Sequence, residues 1–311
     1  MAFRQVAIFG LGLIGASLGL SLRRGPGAPQ VMGFDTSGDA LRSAARSGAI
    51  DRSCGTLPDA CRGSDAVVLA APVGAILQLL RELGPHLEPG TLVTDTGGTK
   101  AEIVRVADSS LPSHAPFVGG HPLAGRLTAG VGDSSATLFN GVTYCLTPSP
   151  NAAPWAVESA VGLVESVGAQ PYFLEANEHD ALLAAVSHLP YFASVALVNT
   201  LATQRSWSEM GSMAAGGFRS ASALVDSEPQ IWADVAATNR DHLIRQLDAL
   251  IDRLGTLRTM VASADDGLVG QLRSARTAHR SWLEGRGDAP AAQTLPTASR
   301  TTRWTDRFRR Q

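Results

Sequence analysis

Three features are scarce in this sequence, and each scarcity narrows the class of protein. Lysine occurs once, as Lys100, although lysine and arginine together number 26. The net charge is −2, whereas proteins that bind nucleic-acid phosphates normally have a clear excess of basic residues. We therefore expect no nucleic-acid partner. The three cysteines form no complete disulfide set and have no zinc-binding spacing. This predicts no metal site and indicates a reducing, cytoplasmic compartment.

Charge is absent from residues 6–22, a run that holds four glycines and is followed by Arg23 and Arg24. A signal peptide or a short membrane anchor is one interpretation of this run. The regular glycine spacing, and basic residues that follow the run instead of preceding it, favour a buried strand that turns into a helix. We therefore expect no membrane partner, and a chain of 311 residues is long enough for two domains.

The first half of the chain alternates apolar runs with helical stretches. Strand-like runs lie at residues 5–10, 31–35, 66–72, 91–97, 117–122 and 143–148. Continuous apolar strands between helices are typical of a parallel sheet that helices cover on both faces. We therefore predict an α/β fold, with a doubly wound domain over residues 1–173.

The pattern changes after residue 175. Helical patterns lie at residues 178–201, 229–254 and 256–284, and Pro190 is expected at a kink or break in the first of them. We predict an all-helical domain over residues 174–285. The remaining residues, 286–311, are rich in alanine, proline, threonine and arginine, which is typical of a disordered tail.

Glycines with dinucleotide-binding spacing connect the first predicted strand to the first predicted helix. Gly10 permits a tight turn, Gly12 lets the backbone approach a pyrophosphate, and Gly15 lets the helix pack against the strand. The N–H groups at the helix start, around Leu13 and Ile14, favour phosphate binding. The spacing alone is weak evidence, but the strand before it and the helix after it agree with a Rossmann-type dinucleotide site.

Asp35 lies 20 residues after Gly15, at the end of the second predicted strand. A carboxylate here accepts hydrogen bonds from the adenosine ribose and repels a 2′-phosphate, so we predict NAD over NADP. The alternative interpretation is that the glycines serve packing alone and Asp35 belongs to a turn. Pro72 ends the third predicted strand, where it is expected either to line the nicotinamide half of the groove or to form an ordinary turn.

Four later segments resemble the ordered signature of the prephenate and arogenate dehydrogenase family, namely DTGGTK (95–100), GGHPLAG (119–125), SHLP (187–190) and GGFR (216–219). With the N-terminal GLGLIG, the resemblance extends over about residues 5–285. It implies oxidation of a ring alcohol with loss of carbon dioxide, and a homodimer formed through the helical domain. The long apolar pattern at 178–201 also favours a homodimer, because its surface exceeds what one sheet edge needs to cover.

Oxidation of an alcohol by hydride transfer requires a base for the hydroxyl proton. His121 is the candidate, on a loop expected at the carboxyl end of a strand, and the family histidine of this motif hydrogen-bonds the substrate's hydroxyl. The resemblance also assigns Lys100 to a substrate carboxylate, His188 to the active site and Gly98 to the cofactor site. The alternatives are structural: a loop-bracing His121, a solvated Lys100 and a core His188.

Three positions depart from the family pattern. The serine that bonds the catalytic histidine in many members is Gly98 here, and Thr99 is the candidate to substitute for it. A second histidine of many members is replaced by Tyr191, which we include among the substrate-binding candidates.

The third departure affects the choice of substrate. The family arginine that binds the substrate's side-chain carboxylate is Ala223 here. Arg219 or Arg126 is expected to replace it, because arginine binds a carboxylate through two parallel hydrogen bonds. A substrate with an amino acid side chain also fits, which keeps arogenate open.

The function predicted from these residues is NAD-dependent conversion of prephenate to 4-hydroxyphenylpyruvate. Arogenate, or a related amino-prephenate, is the alternative substrate. A non-catalytic NAD-binding sensor is the alternative from another class, since an arginine and a serine of the family are missing. His121 and Lys100 argue against a sensor, because a binding module needs no proton acceptor beside the nicotinamide.

Overall fold

The structure is a computed structural model that describes residues 3–124, 131–149 and 152–285. The predicted tail at 286–311 and the substrate-binding candidate Arg126 therefore lie outside the described residues.

Among the described residues, eight strands form one sheet within the first 173 positions. They are β1 (Gln5–Phe9), β2 (Gln30–Phe34), β3 (Arg52–Ser53), β4 (Ala66–Leu69), β5 (Leu92–Asp95), β6 (Phe117–Pro122), β7 (Thr143–Pro148) and β8 (Gln170–Phe173). The six predicted strands are confirmed. The short strands β3 and β8 were not predicted, because Arg52–Ser53 is too short and Gln170–Phe173 too polar to show an apolar run.

The sheet has the strand order β3-β2-β1-β4-β5-β6-β7-β8. Its first six strands are parallel and follow the order of a doubly wound dinucleotide-binding fold. In this fold the sequence of strands across the sheet reverses between β1 and β4. One feature differs from the predicted parallel sheet: β7 runs antiparallel to β6, and β8 then runs parallel to β7. The predicted fold class is confirmed, with this antiparallel extension added.

Helices cover both faces of the sheet. In the sheet region they are α1 (Leu13–Leu22), α2 (Gly38–Arg46), α3 (Leu57–Cys61), α4 (Val73–Leu83), α5 (Ala101–Ser110) and α6 (Pro154–Ser166). Two apolar clusters, one on each face, account for the continuous apolar strands: Val6 and Ile8 point into one cluster, and Ala7 and Phe9 into the other.

The described residues after the last strand, up to Gly285, are mainly helical. The helices are α7 (Ala176–Leu183), α8 (Leu189–Ala202), α9 (Trp207–Met213), α10 (Gly216–Ser222), α11 (Pro229–Thr238), α12 (Arg240–Ala262) and α13 (Leu268–Gly285). A π-helical turn, Ala184–His188, joins α7 to α8, and Pro190 lies in the first turn of α8, which agrees with the predicted break.

The boundaries that we predicted for the last two helices are wrong. The chain breaks at Asn239 and again between Ala262 and Leu268, whereas we predicted helices over 229–254 and 256–284. Asn239 interrupts the pattern because its side chain bonds neighbouring groups of the protein. The second break lies at Ala264, which has a positive φ, beside Gly267, whose N–H bonds Asp265.

Candidate active site

The glycine turn after β1 has the geometry that a dinucleotide requires. Gly10 adopts a φ of +94°, and a Cβ there would lie 2.4 Å from the carbonyl oxygen of Ala70. A Cβ at Gly15 would lie 1.9 Å from the carbonyl oxygen of Gly10, so only glycine lets α1 approach β1 this closely. A Cβ on Gly12 would meet nothing within 4 Å, and this open side is where a pyrophosphate could approach the backbone.

The start of α1 leaves its N–H groups available to an anion. Gly12 is the N-cap residue, and no side chain caps the helix. Asp35, just beyond β2, is held beside this turn because its carboxylate accepts hydrogen bonds from Leu11 N (2.7 Å) and Ser37 N (2.8 Å). The residues present therefore fit a dinucleotide, with an acidic group near the position of the adenosine ribose.

Further candidate residues lie at the same edge of the sheet. Pro72 is exposed and is the N-cap residue of α4, so it lies at the carboxyl end of β4 as predicted. Gly98 follows β5, and His121 lies near the end of β6. We expected His121 on a loop, but it is a strand residue that pairs with Cys145 of β7. The neighbouring strand β7 was predicted but its antiparallel direction was not, and its pairing with β6 includes this position.

His121 is partly exposed, and its ring is hydrogen-bonded to a second histidine in the protein interior. Its Nδ1 lies 2.9 Å from Nε2 of His179, which is fully buried. Burial holds the pKa of His121 well below its usual range, and the proximity of His179 and of the Lys100 ammonium group lowers it further. The imidazole of His121 is therefore neutral at neutral pH, which is the state that can accept a proton.

His179 is in turn bonded to Asp180, its neighbour on α7. Nδ1 of His179 lies 2.8 Å from Oδ1 of Asp180, and burial lowers the pKa of His179. The Asp180 carboxylate also accepts hydrogen bonds from Lys100 N (2.7 Å) and Ala101 N (2.9 Å) at the start of α5. The carboxylate therefore links the helical region to the start of α5 at the carboxyl edge of the sheet.

Lys100 is fully buried, and its ammonium group donates to the buried carboxylate of Asp95. Asp95 also accepts hydrogen bonds from Gly97 N (2.7 Å) and Gly120 N (3.0 Å), so it connects the end of β5 to the residue before His121. Burial lowers the pKa of Lys100, and the charge of Asp95 opposes that shift.

The roles predicted for Lys100 and Thr99 do not fit this geometry. An ammonium group that is fully buried and already paired with Asp95 is not available to neutralise a substrate carboxylate. Thr99 is fully buried as well, and its hydroxyl bonds the hydroxyl of Thr238 at 2.8 Å instead of His121. Both side chains serve the connection between sheet and helices.

His188 is also buried, at 2% exposure. Nδ2 of Asn239 lies 3.2 Å from Nδ1 of His188, and the His188 ring also hydrogen-bonds the backbone of Gly98. Burial lowers the pKa of His188 to about 4. Tyr191 is buried against Trp232, with ring centroids 3.9 Å apart and planes within 6° of parallel. The positions of His188 and Tyr191 are thus fixed by protein contacts.

Arg219, on α10, is exposed and lines a cavity of about 420 Å³ together with Ala223. Phe218 and Trp207 contribute the aromatic part of its lining. Arg219 is therefore near the position of the missing family arginine, although the structure shows no contact between it and His121.

Several residues of the site were not predicted individually. His179 and Asp180 open an otherwise apolar helical pattern, and an adjacent acid and histidine in such a pattern was the available signal. Asp95 was inside a motif we singled out, but its pairing with Lys100 depends on the fold. Asn239 and Trp232 carried no sequence signal. Among the described residues, no cluster of three or more histidine, cysteine or acidic side chains is arranged to hold a metal.

Comparison with known families identifies this arrangement. The model "Prephenate dehydrogenase, nucleotide-binding domain" matches residues 18–173, and "Prephenate dehydrogenase, dimerization domain" matches residues 175–274. The chain belongs to the prephenate dehydrogenase family. The predicted resemblance is confirmed.

Individual members of the prephenate dehydrogenase family agree along most of the chain. A prephenate dehydrogenase of Bacillus subtilis is 32% identical, over 84% of this chain and 71% of that protein. A cyclohexadienyl dehydrogenase of Zymomonas mobilis is 32% identical, over 85% of this chain and 90% of that protein. Among solved structures, prephenate dehydrogenase from A. aeolicus in complex with hydroxyphenyl propionate and NAD+ is 27% identical. Its TM-score is 0.84, with 90% of this chain and 99% of that chain covered.

Proposed function

We propose that this chain is an NAD-dependent enzyme that converts prephenate to 4-hydroxyphenylpyruvate. The observation that carries this proposal is the position of the His121 imidazole, at the same sheet edge as the dinucleotide turn after β1. β6 is three strands from β1, or about 14 Å at the usual strand spacing. A dinucleotide lying across the edge from Gly12 can therefore bring its nicotinamide toward His121.

The chemistry assigned to His121 is proton acceptance. The substrate's ring hydroxyl gives its proton to the imidazole, the hydride leaves the carbinol carbon, and the ring becomes aromatic as carbon dioxide departs. The imidazolium then returns the proton to the phenolic oxygen of the product. NAD, when bound, supplies the hydride acceptor. Because aromatisation drives the reaction, the protein chiefly orients the ring and accepts one proton.

Asp35 supports NAD as the cofactor. Its carboxylate is held beside the glycine turn by two backbone N–H groups, and a negative charge there repels a 2′-phosphate. Family membership and the NAD-bound A. aeolicus relative agree with this choice. Gly10, Gly12, Leu13, Ile14 and Gly15 are the proposed contacts of the pyrophosphate.

Arogenate is a second candidate substrate. Ala223 provides no charge for a keto-acid carboxylate, and Arg219 is the described arginine that lines the adjacent cavity. A relative named cyclohexadienyl dehydrogenase matches this chain in sequence, and a structure named arogenate dehydrogenase matches it in fold. The ammonium group of such a substrate partly balances the carboxylate beside it. The protein therefore needs to supply less positive charge at this end of the site.

A homodimer and a cytoplasmic location complete the proposal. The second matching family model is a dimerization domain, and α12 and α13 expose apolar residues such as Ile251, Val261 and Leu272. The stretch Ala176–Ala202 is long and apolar enough to span a membrane by composition alone. It carries the buried His179, Asp180 and His188, so we assign it to the folded enzyme instead. The three cysteines are free and buried, which suits a reducing compartment.

The test is formation of the reduced cofactor, NADH or NADPH, with prephenate and with arogenate, each in the presence of NAD or NADP. We expect turnover with NAD and loss of about 10²–10⁴-fold in kcat for His121→Asn, with unchanged NAD affinity. NAD binding without turnover of either substrate would instead support the non-catalytic sensor. Turnover of arogenate alone would assign the Ala223 substitution to a changed substrate specificity.

A further inference from the structure

His121 has a defined hydrogen-bond partner among the described residues, and that partner is another histidine. His121 Nδ1 and His179 Nε2 are 2.9 Å apart, with the two rings inclined at 65°. His179 is fully buried, whereas His121 is partly exposed. One ring nitrogen of His121 is therefore directed into the protein, which leaves the other, Nε2, to meet a substrate.

Asp180 determines which nitrogen of His179 carries its proton. The carboxylate already accepts hydrogen bonds from the backbone N–H groups of Lys100 and Ala101, so it acts as an acceptor throughout. Nδ1 of His179, 2.8 Å away, must then be the donor. Since burial keeps His179 neutral, its Nε2 has no proton and holds a lone pair.

That lone pair in turn determines the tautomer of His121. Two unprotonated nitrogens cannot share a hydrogen bond, so Nδ1 of His121 must donate to Nε2 of His179. A neutral His121 then carries its lone pair on Nε2. The reverse arrangement requires either a lone pair of His179 facing the Asp180 carboxylate or a charged, fully buried His179 close to Lys100. Both of these are electrostatically unfavourable.

We propose that His179 and Asp180 are positioning residues that hold His121 in the Nδ1–H tautomer and keep Nε2 free to accept the substrate's hydroxyl proton. This inference rests on the proposed function. As His121 becomes charged, its Nδ1–H continues to donate to His179, and the nearby Asp180 carboxylate stabilises the imidazolium. The neighbouring residues offer no substitute, because Gly98 has no side chain and the Thr99 hydroxyl bonds Thr238.

The kinetic test compares two substitutions of His179. His179→Gln can place its amide oxygen near the Nε2 position and accept from His121, so kcat should stay within about tenfold of the wild-type value. His179→Leu removes the acceptor, and kcat should fall on the order of 10²-fold, with KM for the substrate and NAD affinity little changed. His279→Leu, an exposed histidine of α13, is the matched control and should keep the wild-type kcat. Equal losses in the Gln and Leu variants would overturn the proposal.

A second measurement does not depend on turnover. In wild-type protein labelled with ¹⁵N-histidine, the ring nitrogen shifts report which nitrogen is protonated, and His121→Asn identifies the His121 signals. We expect the Nδ1–H form of His121 at neutral pH. An Nε2–H form, or a charged His179, would overturn the proposal even in an active enzyme. If the predicted tautomer is present but no substrate turns over, the proposed function fails and the positioning network stands.

Discussion

Lys100 is the only lysine of the chain, and its surroundings explain why arginine does not replace it. The side chain is fully buried and faces Asp95, whose two oxygens already accept bonds from Gly97 and Gly120. An ammonium group is compact and carries three donors, whereas a guanidinium group is larger and carries five. A buried site with few acceptors can satisfy the first group but not the second.

Removing this ammonium group should destabilise the protein strongly. Lys100→Met leaves a buried carboxylate without its counter-charge, and we expect the free energy of unfolding to fall by about 3–5 kcal/mol in urea denaturation. Arg46→Met, which removes an exposed cation from α2, is the control and should change stability by less than about 0.5 kcal/mol. Wild-type stability in Lys100→Met would contradict a paired, buried Lys100. Adding Asp95→Asn should restore part of the loss.

At the scale of elements, the two glycines before His121 allow the close approach of three strands. A Cβ on Gly119 would lie 2.3 Å from Thr147 Oγ1, across β7. A Cβ on Gly120 would lie 2.5 Å from the carbonyl oxygen of Asp95 and 2.9 Å from the ring of Tyr144. Since the Asp95 carbonyl oxygen is a backbone atom of β5, β5 or β6 itself would have to move.

Gly120→Ala should therefore separate β5 from β6 and displace His121. We expect a loss of roughly 1–3 kcal/mol in the free energy of unfolding, together with a lower kcat. Gly12→Ala is the matched substitution, because its Cβ meets nothing within 4 Å and its φ is −71°. It should leave the melting temperature unchanged and weaken NAD binding. If both variants melt alike, the packing explanation for Gly120 is wrong.

At the scale of the whole molecule, the helical region supplies part of the site. The Asp234 carboxylate of α11 accepts from Gly74 N at the start of α4 (2.8 Å), and Thr238 bonds Thr99. Asn239 donates to the carbonyl oxygen of Asp180 at 2.7 Å. The helices after residue 175 therefore close the carboxyl edge of the sheet and contribute the groups that bond His121 and Gly98.

This closure buries His179 and His188 and partly buries His121, so stability should depend on pH. His121, His179 and His188 all have a lowered pKa in the folded protein, so the unfolded chain binds more protons below about pH 6.5. The free energy of unfolding should be highest near neutral pH and should fall as the pH drops from about 6.5 toward 4. With a folded pKa of about 4, His188 alone accounts for roughly 3 kcal/mol of that loss.

Urea denaturation at several pH values between 4.5 and 7 measures this dependence. The carboxyl groups with lowered pKa values, such as Asp65 and Glu102, have ordinary values of 3.8 and 4.5 and contribute mainly at lower pH. His188→Leu should reduce the slope of stability against pH. A wild-type stability that does not change over this range would show that the three histidines titrate normally.

The sequence by itself determined the local features of this protein. The strand, the glycine turn, the start of α1 and Asp35 lie within one short stretch, and their roles follow from backbone geometry that needs few distant contacts. Continuous apolar runs likewise indicated a sheet covered on both faces. His121 and the family could be identified from the sequence for the same reason, because their motifs are contiguous.

Only the tertiary structure decided the partners of these residues. Lys100 was assigned to a substrate because its sequence shows a cation, and burial beside Asp95 gives it a different role. His179 lies 58 residues from His121, and Asn239 lies 51 from His188, so no local pattern pairs them. Desolvation and hydrogen-bond pairing depend on which surfaces the fold brings together, and these two effects set the charge and the tautomer of the candidate base.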